Sequence, residues 1–415
     1  MHNGTTGTRT GKRHARQWRA VLLAASLACA VAVPAAAAPA PVAAPAAAAK
    51  AADRPAYAGR LTQDMIALMQ RLRIPGALVS ITTPDSGAWT TELGTGDLTT
   101  GKPIDRGDHL RVGSITKTFT GTVVLQLVQE GLLKLDDPVS AHHPGVPDGD
   151  RITIRQLLNM TSGLYNYSED YGFNLSLDEH PEREWTPQEL LDLAFSHPSY
   201  FPPGTGFHYS NTNTVLLGLI AEHLTHQPLG KLFEQRIFNR VGMHGTSLAN
   251  GDSIPSPHAR GHQFITNVES LTAPTLTGKE AAWADWSAGN PYDVTHVNAS
   301  WAWAAGAAES TVDDLRRWAP ALATGTLLSP ELQKERLTFV PTSDAPDAPG
   351  YGLAVAEFFG FIGHDGQIPG YTSFMGYDPK RCATVVVLAN LNQSPDGTAP
   401  ANELAKLIIG ELFPS

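Results

Sequence analysis

Three short patterns in this 415-residue chain hold residue types that can activate a hydroxyl. Ser114-Ile115-Thr116-Lys117 is the one Ser-x-x-Lys. Residues three apart on a helix share a face, so this spacing brings an amine beside a hydroxyl. A serine hydroxyl attacks a carbonyl only when a base takes its proton. A lysine drawn out of water, or set beside another cation, loses its proton more easily and can be that base. At a helix start the free N–H groups would also favour a developing oxyanion. Taken alone, the tetrapeptide fits an N-cap serine followed by an exposed lysine equally well.

Tyr209-Ser210-Asn211 is the one Tyr-x-Asn. It follows the rigid turn Phe201-Pro202-Pro203-Gly204 and precedes a helical stripe of Leu216, Leu219, Ile220 and Leu224. A phenol on such a loop, near cations, can pass a proton between nucleophile and leaving group. A buried tyrosine with Asn211 as helix N-cap fits the same residues. His364-Asp365-Gly366 is less specific, because His143-Pro144-Gly145 and His2-Asn3-Gly4 share its form. It alone falls among late strand patterns, before Gln367, where a glycine lets a substrate backbone approach closely.

The flanking patterns say which elements must carry these residues. Leu61, Met65, Ile66, Met69 and Leu72 recur at helical spacing. Ala77 to Thr82 and Trp89 to Leu93 read as strands joined by Pro84-Asp85-Ser86-Gly87. After Gly113 an apolar stripe of Phe119, Val123, Leu127 and Val128 predicts a helix stopping at Gly131. From about 132 to 328 helical patterns and long loops dominate, including Leu229, Leu232, Phe233 and Ile237. Tyr351 to Val355, Tyr371 to Tyr377 and Thr384 to Ala389 are strand-rich, with Asp378-Pro379-Lys380-Arg381 as a hairpin turn. A last helix is expected around Leu404 to Leu412. The order implies one α/β unit over residues 59–413, its sheet built from both chain ends and a helical domain inserted between.

Residues 1–38 have the build of a secretory signal peptide: five basic residues from Arg9 to Arg19, an apolar run from Ala20 to Val33, then Ala35-Ala36-Ala37. That run is too short to span a bilayer. Cys29 follows Ser26 where a lipoprotein signal has an aliphatic residue, so secretion without lipidation is expected. Residues 39–58 are rich in Ala and Pro and read as a tether. The net charge of −10 becomes about −15 without the leader, which argues against nucleic acid as a partner. Only Cys382 then remains, so no internal disulfide can form. His142-His143 and His223 with His226 lack the Cys, Asp or Glu companions of a metal site, and no metal or other cofactor is expected. Trp283, Trp286, Trp301 and Trp303 fit a cleft lining or a core equally.

In combination and in this order, the three patterns carry a resemblance. The chain resembles the serine DD-peptidase and class C β-lactamase family, and among its members is similar to secreted D-alanyl-D-alanine carboxypeptidases. The resemblance runs from about Leu61 to Leu412. Arg155 through Leu164, Pro203-Gly204 through Asn213, and Gly306-Ala307-Ala308-Glu309-Ser310-Thr311 strengthen it. It implies an antiparallel sheet flanked by helices, with the active site between sheet and helical insertion. Ser114 would be the acylated nucleophile, with Lys117 or Tyr209 as its base. The N–H groups of Ser114 and Gln367 would form the oxyanion hole beside Gly366. Asn211 would hold the substrate amide, and His364 would keep the Lys117–Tyr209 region positive. A D-alanyl-D-alanine carboxypeptidase is expected first. A carboxylesterase, a D-amino-acid amidase, a β-lactamase and a penicillin-binding protein of low turnover are the alternatives. Expected partners are a small peptide, ester or β-lactam substrate and peptidoglycan, acting on a monomer. Asp365 stands where carboxypeptidases can have a threonine that bonds the substrate carboxylate. Pointing inward, it would favour an ester or amide instead.

Overall fold

The first strand already shows how the molecule is layered. Leu78 of β1 (Gly76–Thr83) joins one apolar cluster, while its neighbours Ala77, Val79 and Ile81 join another. Successive strand residues face opposite sides, so β1 has a core on each side and reads as a continuous apolar run. β2 (Gly87–Asp97) returns through a tight turn entered at Gly87, whose φ of +64° suits glycine. The computed structural model describes residues 54–249, 251–272, 291–345 and 348–414. The expected leader, the tether up to residue 53, Trp283 and Trp286 lie outside the described residues.

In chain order β3 (Lys102–Pro103), β4 (Leu110–Arg111), β5 (Ser247–Leu248), β6 (His262–Gln263), β7 (Tyr292–Asp293) and β8 (Ala308–Ser310) follow, all short. Then come β9 (Val340–Pro341), β10 (Gly350–Tyr351), β11 (Ala356–Phe358), β12 (Phe361–Ile368), β13 (Tyr371–Asp378) and β14 (Ala383–Ala389). Among the described residues the main sheet has nine strands in the order β3-β2-β1-β14-β13-β12-β11-β10-β9, paired antiparallel. β1 lies against β14, with Val79 opposite Val387, so both chain ends build one sheet as the pattern implied. The 15-residue helix Ala58–Leu72 and the helix Pro400–Leu412 cover one face. β4, β8 and β5 form a second, three-stranded sheet next to the Ser114 turn.

Three local expectations are corrected. Tyr351 to Val355 is not one strand: β10 stops at Tyr351, and Gly352 donates to the Val355 carbonyl at 2.7 Å. A methyl group on Gly352 would lie 2.1 Å from the Arg336 carbonyl oxygen, and Ala354 turns through a φ of +55°. β-Branched and aromatic content signalled a strand there, but this close approach forces a turn. His364 lies inside β12 rather than beside a strand. The Leu229–Ile237 stripe is α-helical only to Phe233, and Glu234–Phe238 continues as a π-turn. The helix Val312–Thr324, within the stretch 132–328, packs against β1, β12, β13 and β14.

The helix Thr116–Gln129 is buried on nearly all sides, which is why its pattern is apolar beyond a single stripe. Phe119 is fully buried against Phe233, Phe238 and Trp318, with ring centroids 5.8, 5.1 and 5.4 Å away. Phe119→Ala should therefore cost about 3–5 kcal/mol of stability, read as a lower urea midpoint. A loss below about 1 kcal/mol would mean that this aromatic cluster does not anchor the helix.

Candidate active site

Gly113 and Ser114 form a single 3₁₀ turn leading into the helix that carries Lys117. The turn is tied at several points. Val112 donates to the Ala308 carbonyl at 2.9 Å. The Thr116 hydroxyl donates to Gly113 O at 2.7 Å and accepts from the Ala308 N–H at 2.9 Å. Gly113 has a φ of +51°, and a methyl on it would lie 2.7 Å from the Gln367 nitrogen. A methyl on Gly366 would lie 2.1 Å from Val112 O and 3.0 Å from the Ser114 nitrogen. Two glycines thus let β12 and the Ser114 turn meet backbone to backbone. The Ser114 and Gln367 nitrogens therefore belong to two closely apposed backbones, where a pair of N–H donors could serve one oxyanion.

Lys117 is fully buried. Its Nζ lies 3.0 Å from Ser114 Oγ, 2.6 Å from Asn211 Oδ1 and 2.7 Å from the Ala305 carbonyl oxygen. The Asn211 amide is oriented by its surroundings. Its Nδ2 donates to Ser168 Oγ at 2.9 Å, and that hydroxyl donates to Asn166 Oδ1 at 3.0 Å. Asn211 therefore turns its oxygen to the lysine. Two carbonyl-type oxygens accept two amine protons, so the third tetrahedral direction of Nζ points at Ser114. An ammonium donates to Oγ along it; a neutral amine presents its lone pair there. Burial pushes the Lys117 pKa well below the ordinary lysine value, with the Asp365 charge opposing the shift.

Tyr209 closes the group. Its ring centroid lies 4.7 Å from Lys117 Nζ. Its hydroxyl is buried and makes no well-formed hydrogen bond in this resting geometry. Burial drives the phenol pKa well above the ordinary value and Tyr351 adds to this, while the nearby Ser114 hydroxyl favours the ionised form. At neutral pH the phenol is thus a proton donor, and the amine is the group that can be without its proton.

His364 is buried at the end of this cluster, its ring centroid 6.2 Å from that of Tyr209. Its Nδ1 lies 2.6 Å from the Asp365 carbonyl oxygen and its Nε2 3.0 Å from the Tyr351 hydroxyl. Alternation along β12 sends Asp365 to the opposite face, where its Oδ2 accepts from Asn402 Nδ2 at 2.8 Å. Burial works against that carboxylate's charge, but His364 and Asn402 hold its pKa below the ordinary value. Asp365 therefore does not point inward, yet its charge acts on Lys117, Tyr209 and Tyr351. The Gln367 side chain turns outward to Asn392, Nε2 to Oδ1 at 2.8 Å, leaving its backbone to serve the site.

The structure thus gathers Ser114, Lys117, Tyr209, Asn211, His364, Gly366 and Gln367 around one point. Asn211 opens the helix Asn211–Thr225, with Ser210 rather than Asn211 as its N-cap. The sequence reading missed the Ala305 carbonyl, Asn166, Ser168, Tyr351 and Asn402. A carbonyl carries no side-chain signature, and polar residues on loops look like ordinary turn formers. Trp301 is a buried neighbour of Phe173, and Trp303 is half-buried at the start of the short helix that presents Ala305 O. Among the described residues no cluster of His, Cys, Asp and Glu is arranged to hold a metal. None of their helices is long and apolar enough to cross a membrane.

The family model described as beta-lactamase matches residues 61–409. A D-stereospecific amidohydrolase from Streptomyces sp. is 32% identical, with a TM-score of 0.71 over 86% of this chain and 99% of that one. The D-amino acid amidase from Ochrobactrum anthropi SV3 is 26% identical, with a TM-score of 0.73 over 85% and 98% of the two chains. Among curated relatives, protein flp of Staphylococcus aureus strain MRSA252 is 26% identical over 78% of this chain, which spans only 61% of flp. The chain belongs to the beta-lactamase family of serine hydrolases.

Proposed function

We propose that this chain is a secreted serine amidohydrolase that cleaves amide bonds of D-amino-acid substrates through an acyl-enzyme on Ser114. Lys117 takes the Ser114 proton as Oγ attacks the substrate carbonyl carbon. The oxyanion sits between the Ser114 and Gln367 N–H groups, where one donor is typically worth about 3 kcal/mol of barrier. Tyr209 gives its proton to the leaving nitrogen as the C–N bond breaks, and regains one through Lys117. Water then attacks the ester, and Ser114 recovers its hydroxyl proton. Residues 1–38 would direct export and be removed.

The observation that carries the choice of substrate is Asp365. Its carboxylate points away from Ser114, but it is held ionised and its field reaches Lys117, Tyr209 and Tyr351. A fixed negative charge there disfavours a substrate ending in a free carboxylate and leaves an amide unpenalised. Glu169 continues the Asn211–Ser168–Asn166 network: its Oε1 meets Asn166 Nδ2 at 3.1 Å and His208 Nε2 at 2.9 Å, and its Oε2 accepts from the Tyr200 hydroxyl at 2.6 Å. Resemblance to D-stereospecific amidohydrolases supports the D configuration. A D-alanyl-D-alanine carboxypeptidase is the second reading, favoured by His364, which stands where most β-lactamases of the resembling family have a lysine.

Purified mature chain should release ammonia from a D-amino-acid amide at least about tenfold faster than D-alanine from a diacyl-Lys-D-Ala-D-Ala tripeptide. Ser114→Ala should abolish both while keeping the fold. Faster tripeptide cleavage would establish the carboxypeptidase, and an active Ser114→Ala would remove the nucleophile assignment. Asp365→Asn should raise kcat/KM for the carboxylate-ended tripeptide by about tenfold, or about 1.4 kcal/mol of relieved charge repulsion. It should leave the neutral amide within about twofold. An equal effect on both substrates would mean that Asp365 acts on the fold and not on the substrate charge.

A further inference from the structure

The cluster holds one more phenol than the mechanism uses. Tyr351 ends β10, two strands from β12, and is 3% exposed. Its ring stands edge-on to both neighbours, with centroids 5.9 Å from Tyr209 and 5.6 Å from His364. Its hydroxyl meets His364 Nε2 at 3.0 Å. The other ring nitrogen of His364 meets a carbonyl oxygen, which can only accept, so Nδ1 must carry a proton. In the uncharged imidazole Nε2 is then an acceptor, and the phenol supplies the proton for that contact. This arrangement satisfies both nitrogens without burying a further charge. Both are thereby occupied, and neither is left to exchange protons with Ser114. On the far side of the sheet Asn402 holds the Asp365 side chain, so the peptide that offers the carbonyl is fixed as well.

We propose that Tyr351 is a positioning residue: the Asp365 carbonyl keeps the His364 proton on Nδ1, and the Tyr351 hydroxyl occupies Nε2, which leaves proton exchange at Ser114 to Lys117 and Tyr209. The inference rests on the acyl-enzyme reading above and gives His364 a role besides the positive charge that the resemblance implied. Other groups facing this imidazole are the Tyr209 ring and the Asp365 carboxylate, 3.5 Å from Nδ1. Without the Tyr351 hydroxyl, Nε2 loses its donor while the Asp365 carbonyl still holds the proton on Nδ1. Nε2 is then an unoccupied acceptor beside Tyr209 that competes for the phenol proton.

The test is nitrogen NMR of the ¹⁵N-histidine-labelled mature chain, with His364 assigned by loss of its signals in His364→Gln. The wild-type ring should show a protonated Nδ1 and a hydrogen-bonded, unprotonated Nε2 when neutral. Tyr351→Phe should keep Nδ1 protonated but lose the hydrogen-bonded shift of Nε2. With a D-amino-acid amide its kcat should fall about tenfold while KM stays within about twofold, the pattern of a group felt in the transition state. Adding Tyr351→Phe to His364→Gln should cost little more than His364→Gln alone, because the two act as one unit. A wild-type Nε2–H tautomer would overturn the proposal, as would a Tyr351→Phe variant with unchanged kcat. Because the tautomer is read without substrate, it stands apart from the Ser114→Ala assay that tests the acyl-enzyme itself.

Discussion

Everything at this site follows from taking one amine out of water. A buried ammonium without a close carboxylate is costly, and its pKa falls as a result. Lys117 has no carboxylate among its hydrogen-bond partners; it has two carbonyl-type oxygens and a hydroxyl. Those neighbours satisfy the polar group while doing less than a carboxylate would to restore the charge. The same two oxygens set the direction in which the third bond of the nitrogen points. Desolvation and geometry therefore act together: one loosens the proton, the other aims the resulting lone pair at Ser114.

The rest of the fold keeps that arrangement from relaxing. Segments far apart in the chain supply the partners, so the site exists only when the main sheet and the helical region are both formed. Ala305 comes from a four-residue helix, Asn211 from the start of a long one, and Ser114 from the turn between β4 and its own helix. The glycines at 113 and 366 let the backbones of two segments approach within a distance that any side chain would block. Thr116 spends its hydroxyl twice, inside its own turn and on β8. Asn402 on the last helix meets Asp365 on the far face of the sheet, so that helix too helps to hold the strand bearing His364.

What could be read from the sequence was what side-chain type and spacing encode. The i, i+3 relation of Ser114 and Lys117, the Pro-Pro-Gly turn before Tyr209 and the order of strands and helices were all local signals. The Ala305 carbonyl was invisible, because backbone acceptors depend on tertiary placement alone. Tyr351 looked like one more strand residue, since nothing local reveals that the chain reverses after it. The direction of Asp365 followed only from knowing that β12 runs through His364, which decides the face of every neighbour. Its charge mattered to the site even though its side chain does not enter it.

The central claim is that Lys117 reaches its uncharged, proton-accepting form far more easily than an ordinary lysine. The most direct measurement is the rate at which Ser114 becomes acylated in a single turnover. The covalent adduct would be followed by mass over about pH 5 to about pH 10, a range below the ordinary lysine value. A protonated amine has no lone pair to offer, so acylation should be slow in acid. It should rise through a single ionisation well below 10.5 and then level off, with Tyr209 still protonated. A rate that climbs only as pH nears 10.5, or an adduct on a residue other than Ser114, would contradict the account.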